Sequence, residues 1–226
     1  MINPYVMLPI SSTKYRVLGT LLLVLFLSVL SAFTYTLRTE HRHNNITKVP
    51  RNAVLYKIDQ QKSKITWLAK KVAGEHRGEI KVAEGNLHFD NELLVSGNFT
   101  LDTRSISVTD IKDDEANDKL VGHLKNDDFF SVDKFPEAKF IITDVKKKAD
   151  GAYDIQGDLT IKGITKSISF PATTKLANQQ IAANAKVKVN RTKYDIKFRS
   201  ANFFENLGDK TIYDDFELNI DLVANR

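Results

Sequence analysis

Residues 113–140 read DDEANDKLVGHLKNDDFFSVDKFPEAKF. In the first half Ala116, Leu120 and Leu124 recur four apart, and Asp113, Asp114 and Glu115 stand where the positive end of a helix dipole favours acids. It is the one helical pattern after the N-terminal segment. The second half holds Phe129, Phe130, Phe135 and Phe140, and Pro136 stops a helix from running through them. An aromatic cluster between a short helix and a strand has to pack against a large apolar body.

On both sides of this stretch the apolar period is two, as expected of half-buried strands. Val54, Tyr56 and Ile58 alternate with polar neighbours, followed by Ile65, Trp67 and Ala69, then Leu87 and Phe89. Val95, Gly97, Phe99 and Leu101 form another set, which Ile106 and Val108 continue past a kink. Beyond the central stretch, Phe140 and Ile142 lead to Asp150-Gly151, a hairpin turn of the kind that needs positive φ. Tyr153 to Ile161 returns, and Gly163 marks the next reversal. Ile168 and Phe170 precede Pro171, which predicts a strand end or an edge. Ile181, Ala183, Ala185, Val187 and Val189 alternate without a break, as do Phe216, Leu218, Ile220 and Leu222. The pattern predicts an all-β protein of eight or nine antiparallel strands with one short helix. A sheet of that size with one apolar face must close or fold over itself. The small Gly97, Gly157, Ala183 and Ala185 admit two readings: tight packing around Trp67 and the Phe cluster, or a cavity.

Between Arg16 and Arg38 lie 21 uncharged, mostly apolar residues, long enough to span a bilayer core or to serve as an export signal. The expected organisation is therefore a signal peptide or transmembrane anchor over residues 1–38, a polar tether over 39–52 and a β-barrel domain over 53–226. Two basic residues precede the span and three follow it, so the charge bias alone does not orient it. The net charge of +5 is concentrated in the first 50 residues, which carry +4. The body is nearly neutral and has no nucleic-acid footprint. Lys146-Lys147-Lys148 reads as a solvated hairpin end. With no cysteine, disulfides, thiol nucleophiles and thiolate metal sites are excluded.

Nothing in the pattern announces catalysis. The body histidines, His76, His88 and His123, show no metal-ligand spacing and no carboxylate motif beside them, and no nucleotide or nucleophile fingerprint occurs. No metal or cofactor is expected. Arg191 with Asp214 or Asp215 reads as a bridge between the last two strands, and His123 as a helix cap or a residue at the mouth of a pocket.

His123-Leu124, Asp128-Phe129-Phe130 and Phe135-Pro-Glu-Ala-Lys-Phe140 together resemble the signature of the YceI-like, polyisoprenoid-binding family. The resemblance extends through Gly78, Leu101 to Ile106, Gly157 to Gly163, Asn190 to Tyr194 and Asp214 to Leu218, and covers roughly residues 54–224. It implies a lipocalin-like barrel around a long apolar pocket, located in the periplasm or otherwise outside the cytoplasm. It also implies a non-enzymatic role in sequestering or carrying a long isoprenoid, polyprenyl or quinone in type. By alternation and resemblance, the pocket lining is expected from Trp67, Phe89, Phe99, Phe140, Ile155, Leu159, Ala183, Ala185, Val187, Leu218 and Ile220. Phe129, Phe130 and His123 are expected at its entrance. The expected partners are this lipid, the membrane through the N-terminal segment, and a second copy of the chain as a homodimer. The rival readings are a lipid-modifying enzyme on the same barrel and a filled-core interaction module.

Overall fold

The computed structural model describes residues 49–149 and 151–226. The N-terminal segment and most of the tether lie outside the described residues. Among those described, no helix is long and apolar enough to cross a membrane.

The strands are β1 (Val54–Ile58), β2 (Lys64–Lys71), β3 (Gly74–Asp90), β4 (Leu93–Val108), β5 (Glu137–Ala149), β6 (Ala152–Ile161), β7 (Ile164–Ala177), β8 (Gln180–Asn190) and β9 (Ile212–Asn225). One helix, α1 (Asp114–Lys125), joins β4 to β5, and a 3-10 turn (Arg191–Tyr194) follows β8. All pairings are antiparallel, in the order β1-β3-β2-β9-β8-β7-β6-β5-β4, and β4 pairs back onto β3 to close the barrel. β1 and β2 share one place in the ring. β1 pairs with the far half of β3 and the end of β9, while β2 pairs with the near half of β3 and the start of β9. Nine strands thus fill eight positions and the sheet closes on itself, with strand edges left where β7 parts from β8 and where β5 runs past β4.

Three connections are two-residue turns with positive φ at both positions: Asn91-Glu92, Lys162-Gly163 and Asn178-Gln179. Their twist matches that of the strands they join. Gly151 has φ +69°, as the Asp-Gly turn requires. Inward side chains form one core, in which Ile65, Ile181, Val189 and Ala224 are almost wholly buried. A fully buried Val or Ile of this kind contributes roughly 1.5–3 kcal/mol.

Of the two places expected for Pro171, a strand end or an edge, the structure shows the edge: β7 runs through Pro171 to Ala177. It stands where β7 leaves β8: their pairing covers only Ala172–Ala177 with Gln180–Ala185, so nothing on that side needs the missing N–H. In β4 it is Leu94, not Val95, that enters the core. The register slips between His88 and Phe89, and the bulge at Val95 reverses the alternation.

α1 begins where the acidic run predicts. Asp113 caps it by accepting from the Ala116 amide at 2.9 Å, and Asp114 and Glu115 occupy its first turn. None of its residues is buried, so it lies across the end of the barrel as a cover and not in the core.

Candidate functional site

Beneath α1 the barrel holds a cavity of about 100 Å³. Trp67 of β2, Leu101 of β4, Ala138 of β5, Leu159 and Ile161 of β6, and Phe216 and Leu218 of β9 form its wall. Leu124 at the end of α1, with Phe129 and Phe130 after it, forms its cover. The lining is almost entirely apolar; Thr103, Arg191 and Tyr213 supply its polar groups.

Two of these polar groups are already engaged. The Thr103 hydroxyl donates to the Phe135 carbonyl at 2.7 Å. Arg191, buried, donates to the carbonyls of Ile196 (2.8 Å), Ile212 (3.0 Å) and Tyr213 (3.1 Å), and lies 3.5 Å from the Asp214 carboxylate. Burial pulls the guanidinium below its ordinary pKa, and Asp214 works in the opposite direction. The expected bridge is therefore Arg191 to Asp214. It fastens the turn after β8, with the buried Tyr194, Ile196 and Ser200, to the start of β9. That segment closes the barrel where β7 and β8 part. Trp67 Nε1 is buried and has no hydrogen-bond partner among the described residues.

The cover is tied down by a second set of contacts. The Phe130 amide donates to the Leu124 carbonyl at 3.1 Å and the Val132 amide to Lys125 at 3.0 Å, so the chain doubles back beneath the helix. Lys162 Nζ, in the β6–β7 turn, donates to the carbonyls of Asp127 and Asp195, each at 3.2 Å. His123 lies outside the cavity, edge-on between the rings of Phe129 (4.9 Å) and Phe198 (4.7 Å). With His76, Lys71, Arg199, Asp209 and Lys210 it borders a neighbouring depression, mostly apolar in its exposed lining, that shares Phe129 and Ile212 with the cavity. Sequence spacing gave no body histidine a carboxylate partner, yet the fold supplies two. His76 Nδ1 meets Asp110 at 2.9 Å and His123 Nε2 meets Asp128 at 3.0 Å.

Of the residues singled out in the sequence, the structure brings Trp67, Phe129, Phe130, Leu159 and Leu218 together around the cavity. Phe89, Phe140, Ile155, Val187 and Ile220 are buried inside the barrel but away from it, and Phe99 packs against the same core. That part of the interior is filled: Phe140 packs at a tilt against Phe99 and Phe170, each with ring centroids 5.4 Å apart. Ala183 and Ala185 also point inward and pack on the core. Ala185 and Ile220 border a separate surface depression where β7 and β8 diverge. Leu101, Ala138, Ile161 and Phe216 were not singled out for the wall. Each sits two residues from a chosen neighbour on the same face of its strand, and that alternation was the signal available.

A family model for the YceI-like domain matches residues 56–224. A UPF0312 protein of Pseudomonas putida is 32% identical over 124 residues, covering 54% of this chain and 62% of that protein, so the match spans about three fifths of the relative's length. A UPF0312 protein of Pseudomonas fluorescens is 30% identical over 151 residues, 63% of this chain and 76% of the relative. Among solved structures, Burkholderia cenocepacia BcnA superposes with a TM-score of 0.61 at 21% identity, over 74% of this chain and 99% of its own. A polyisoprenoid binding domain from Saccharophagus degradans superposes with a TM-score of 0.58 at 14% identity, over 75% and 97%. At these identities the superpositions establish the shared fold.

Proposed function

Because the chain belongs to the YceI-like domain family, we propose that its barrel takes the apolar tail of an isoprenoid lipid, of polyprenyl or quinone type, into the cavity beneath α1 and holds it without turning it over. The observation that carries this reading is the cavity's wall, apolar on nearly every side, with Thr103 and Arg191 already committed to internal bonds. The description of the Saccharophagus degradans neighbour as polyisoprenoid binding supports the ligand class.

Size constrains how this works. An engineered apolar cavity of about 150 Å³ in another protein accepts benzene, so about 100 Å³ fits on the order of one isoprene unit. A longer chain has to displace Leu124, Phe129 or Phe130, the side chains that are on the cover and not in a strand. Each buried CH₂ returns at most about 0.8 kcal/mol, less the cost of ordering the chain. A dozen or more carbons still hold firmly without a strong polar contact. We place the protein outside the cytoplasm, with residues 1–38 as signal or anchor, 39–52 as tether and 53–226 as the carrier domain.

Trp67 is the chain's single tryptophan and stands on the cavity wall, so its emission reports occupancy directly. Titrating the full chain with a polyprenyl alcohol should give a saturable emission change, and native mass spectrometry should show one discrete apolar adduct. A bare protein with unresponsive emission would overturn the carrier reading in favour of an interaction module.

A further inference from the structure

The end of the barrel that holds the cavity carries apolar side chains facing outward. Phe203 and Phe204, in the connection from β8 to β9, are each 49% exposed; Tyr213 is 51% and Val72, at the β2–β3 turn, 53%. They belong to one rim. The Val72 amide donates to the Thr211 carbonyl at 3.0 Å, and Asn202 donates to Asp214, the neighbour of Tyr213, at 2.5 Å. Tyr213 lies at once on this rim and on the cavity wall, so the outer apolar surface is continuous with the inner one.

The same rim has surplus positive charge. Along residues 70–73 and 188–215 eight basic side chains stand against five acidic ones; Lys197 is paired with Asp195, and Asp214 and Asp215 with Arg191 and Lys188. Lys70, Lys71, Lys193, Arg199 and Lys210 have no carboxylate within 4.0 Å among the described residues, against Glu205 and Asp209 on the acidic side. Exposed aromatics beside free cations fit the boundary between headgroups and acyl chains of an anionic bilayer, where amphipathic rings settle and basic side chains are attracted.

We propose that this rim docks on the surface of an anionic phospholipid bilayer, with Phe203, Phe204 and Tyr213 entering the interface, so that a lipid tail passes between bilayer and cavity without crossing water. The inference rests on the carrier reading for its purpose, but docking is measured independently of it. Docking leaves the opposite end, with the β5–β6 hairpin and its lysine run, in water.

The chain has no cysteine, so one introduced at Glu205 can carry an environment-sensitive nitrobenzoxadiazole label, and a second protein labelled at Lys147→Cys serves as the distal control. The full chain is mixed with vesicles of phosphatidylcholine and phosphatidylglycerol in equal parts, containing spin-labelled lipid as quencher. Quenching is expected at 205 and not at 147. Phe203→Ser with Phe204→Ser, or Lys70→Gln with Lys71→Gln and Lys210→Gln, should reduce quenching at 205 by on the order of fivefold or more. Equal quenching at both positions, or quenching indifferent to both sets of variants, overturns the proposal. Uptake of a polyprenyl alcohol from detergent micelles, read at Trp67, separates the two ideas. Uptake with the 205 label still in water overturns docking alone, and quenching at 205 without uptake supports docking while overturning the carrier reading.

Discussion

Phe140 lays its ring across the backbone of Gly157, so that a Cβ built on Gly157 would overlap the ring itself and come close to the Ile141 carbonyl. The glycine is space already used: its missing side chain is the slot that lets Phe140 pack against Phe99 and Phe170. Gly157→Ala should therefore cost about 1–3 kcal/mol, the range for forcing extra volume into a packed core. Phe140→Leu in the same chain should recover part of that loss. Urea denaturation of the two single variants and the double variant tests the coupling, and strict additivity would mean that ring and glycine do not compete.

The cavity should be closable from its own wall without disturbing the barrel. Ala138, buried on β5 and paired with Leu101, faces the empty space, and Ala138→Leu adds three carbons there. Its stability should change by no more than about 1.5 kcal/mol, while the affinity for a polyprenyl alcohol, followed by Trp67 emission, falls on the order of tenfold or more. Ala183→Leu is the control, because Ala183 lies on the inner face of β8 away from the cavity. If both variants take up the lipid equally well, the ligand site is elsewhere.

Alternation along the chain was enough to read which side chains turn inward over most of each strand, because the period of two holds between the register breaks of β2–β9, β3–β4 and β5–β6. What alternation does not carry is position along the barrel axis. Phe89, Phe140 and Ile155 have the same inward sense as Trp67 and Leu159, yet the first three fill one region and the last two border the void. That difference arises from α1, which stands off from the strand ends as an exposed cover. Val95 was misplaced for another reason, since a bulge leaves no mark in composition. The His76–Asp110 pair was out of reach for a third. The two residues are 34 apart and meet because the start of β3 runs antiparallel to the end of β4, with Gly78 opposite Val108.

That pair gives the protein an acid-sensitive joint. Burial alone would raise the Asp110 carboxyl, but the Arg77 amide and the His76 ring, both at 2.9 Å, more than offset it, and the pKa lies below its ordinary value. With a folded pKa below the unfolded value of roughly 3.9, the stabilisation is complete above the unfolded value. It is lost as pH falls through the folded one. Asp110→Asn should lower stability at neutral pH, and the difference from the native chain should shrink below about pH 4. Denaturation midpoints measured across this range decide the matter; a gap that stays constant into acid would assign the effect to packing.

Tyr194 makes the opposite prediction at high pH. It is 1% exposed, its hydroxyl has no partner among the described residues, and burial pushes its pKa up to about 12. Only the neutral phenol is tolerated in the folded chain, whereas the unfolded phenol ionises near 10. Stability is therefore intact below about pH 10 and declines as pH rises toward 12. Tyr194→Phe keeps the ring that packs in the core beside Ile196 and removes an oxygen desolvated without return. It should raise stability at neutral pH by about 1 kcal/mol and abolish this residue's share of the alkaline loss. Urea titrations at neutral and alkaline pH measure both effects at once. A variant less stable than the native chain at neutral pH would show that the hydroxyl is bonded, and the buried turn after β8 would then owe part of its hold on the barrel to that bond as well as to Arg191.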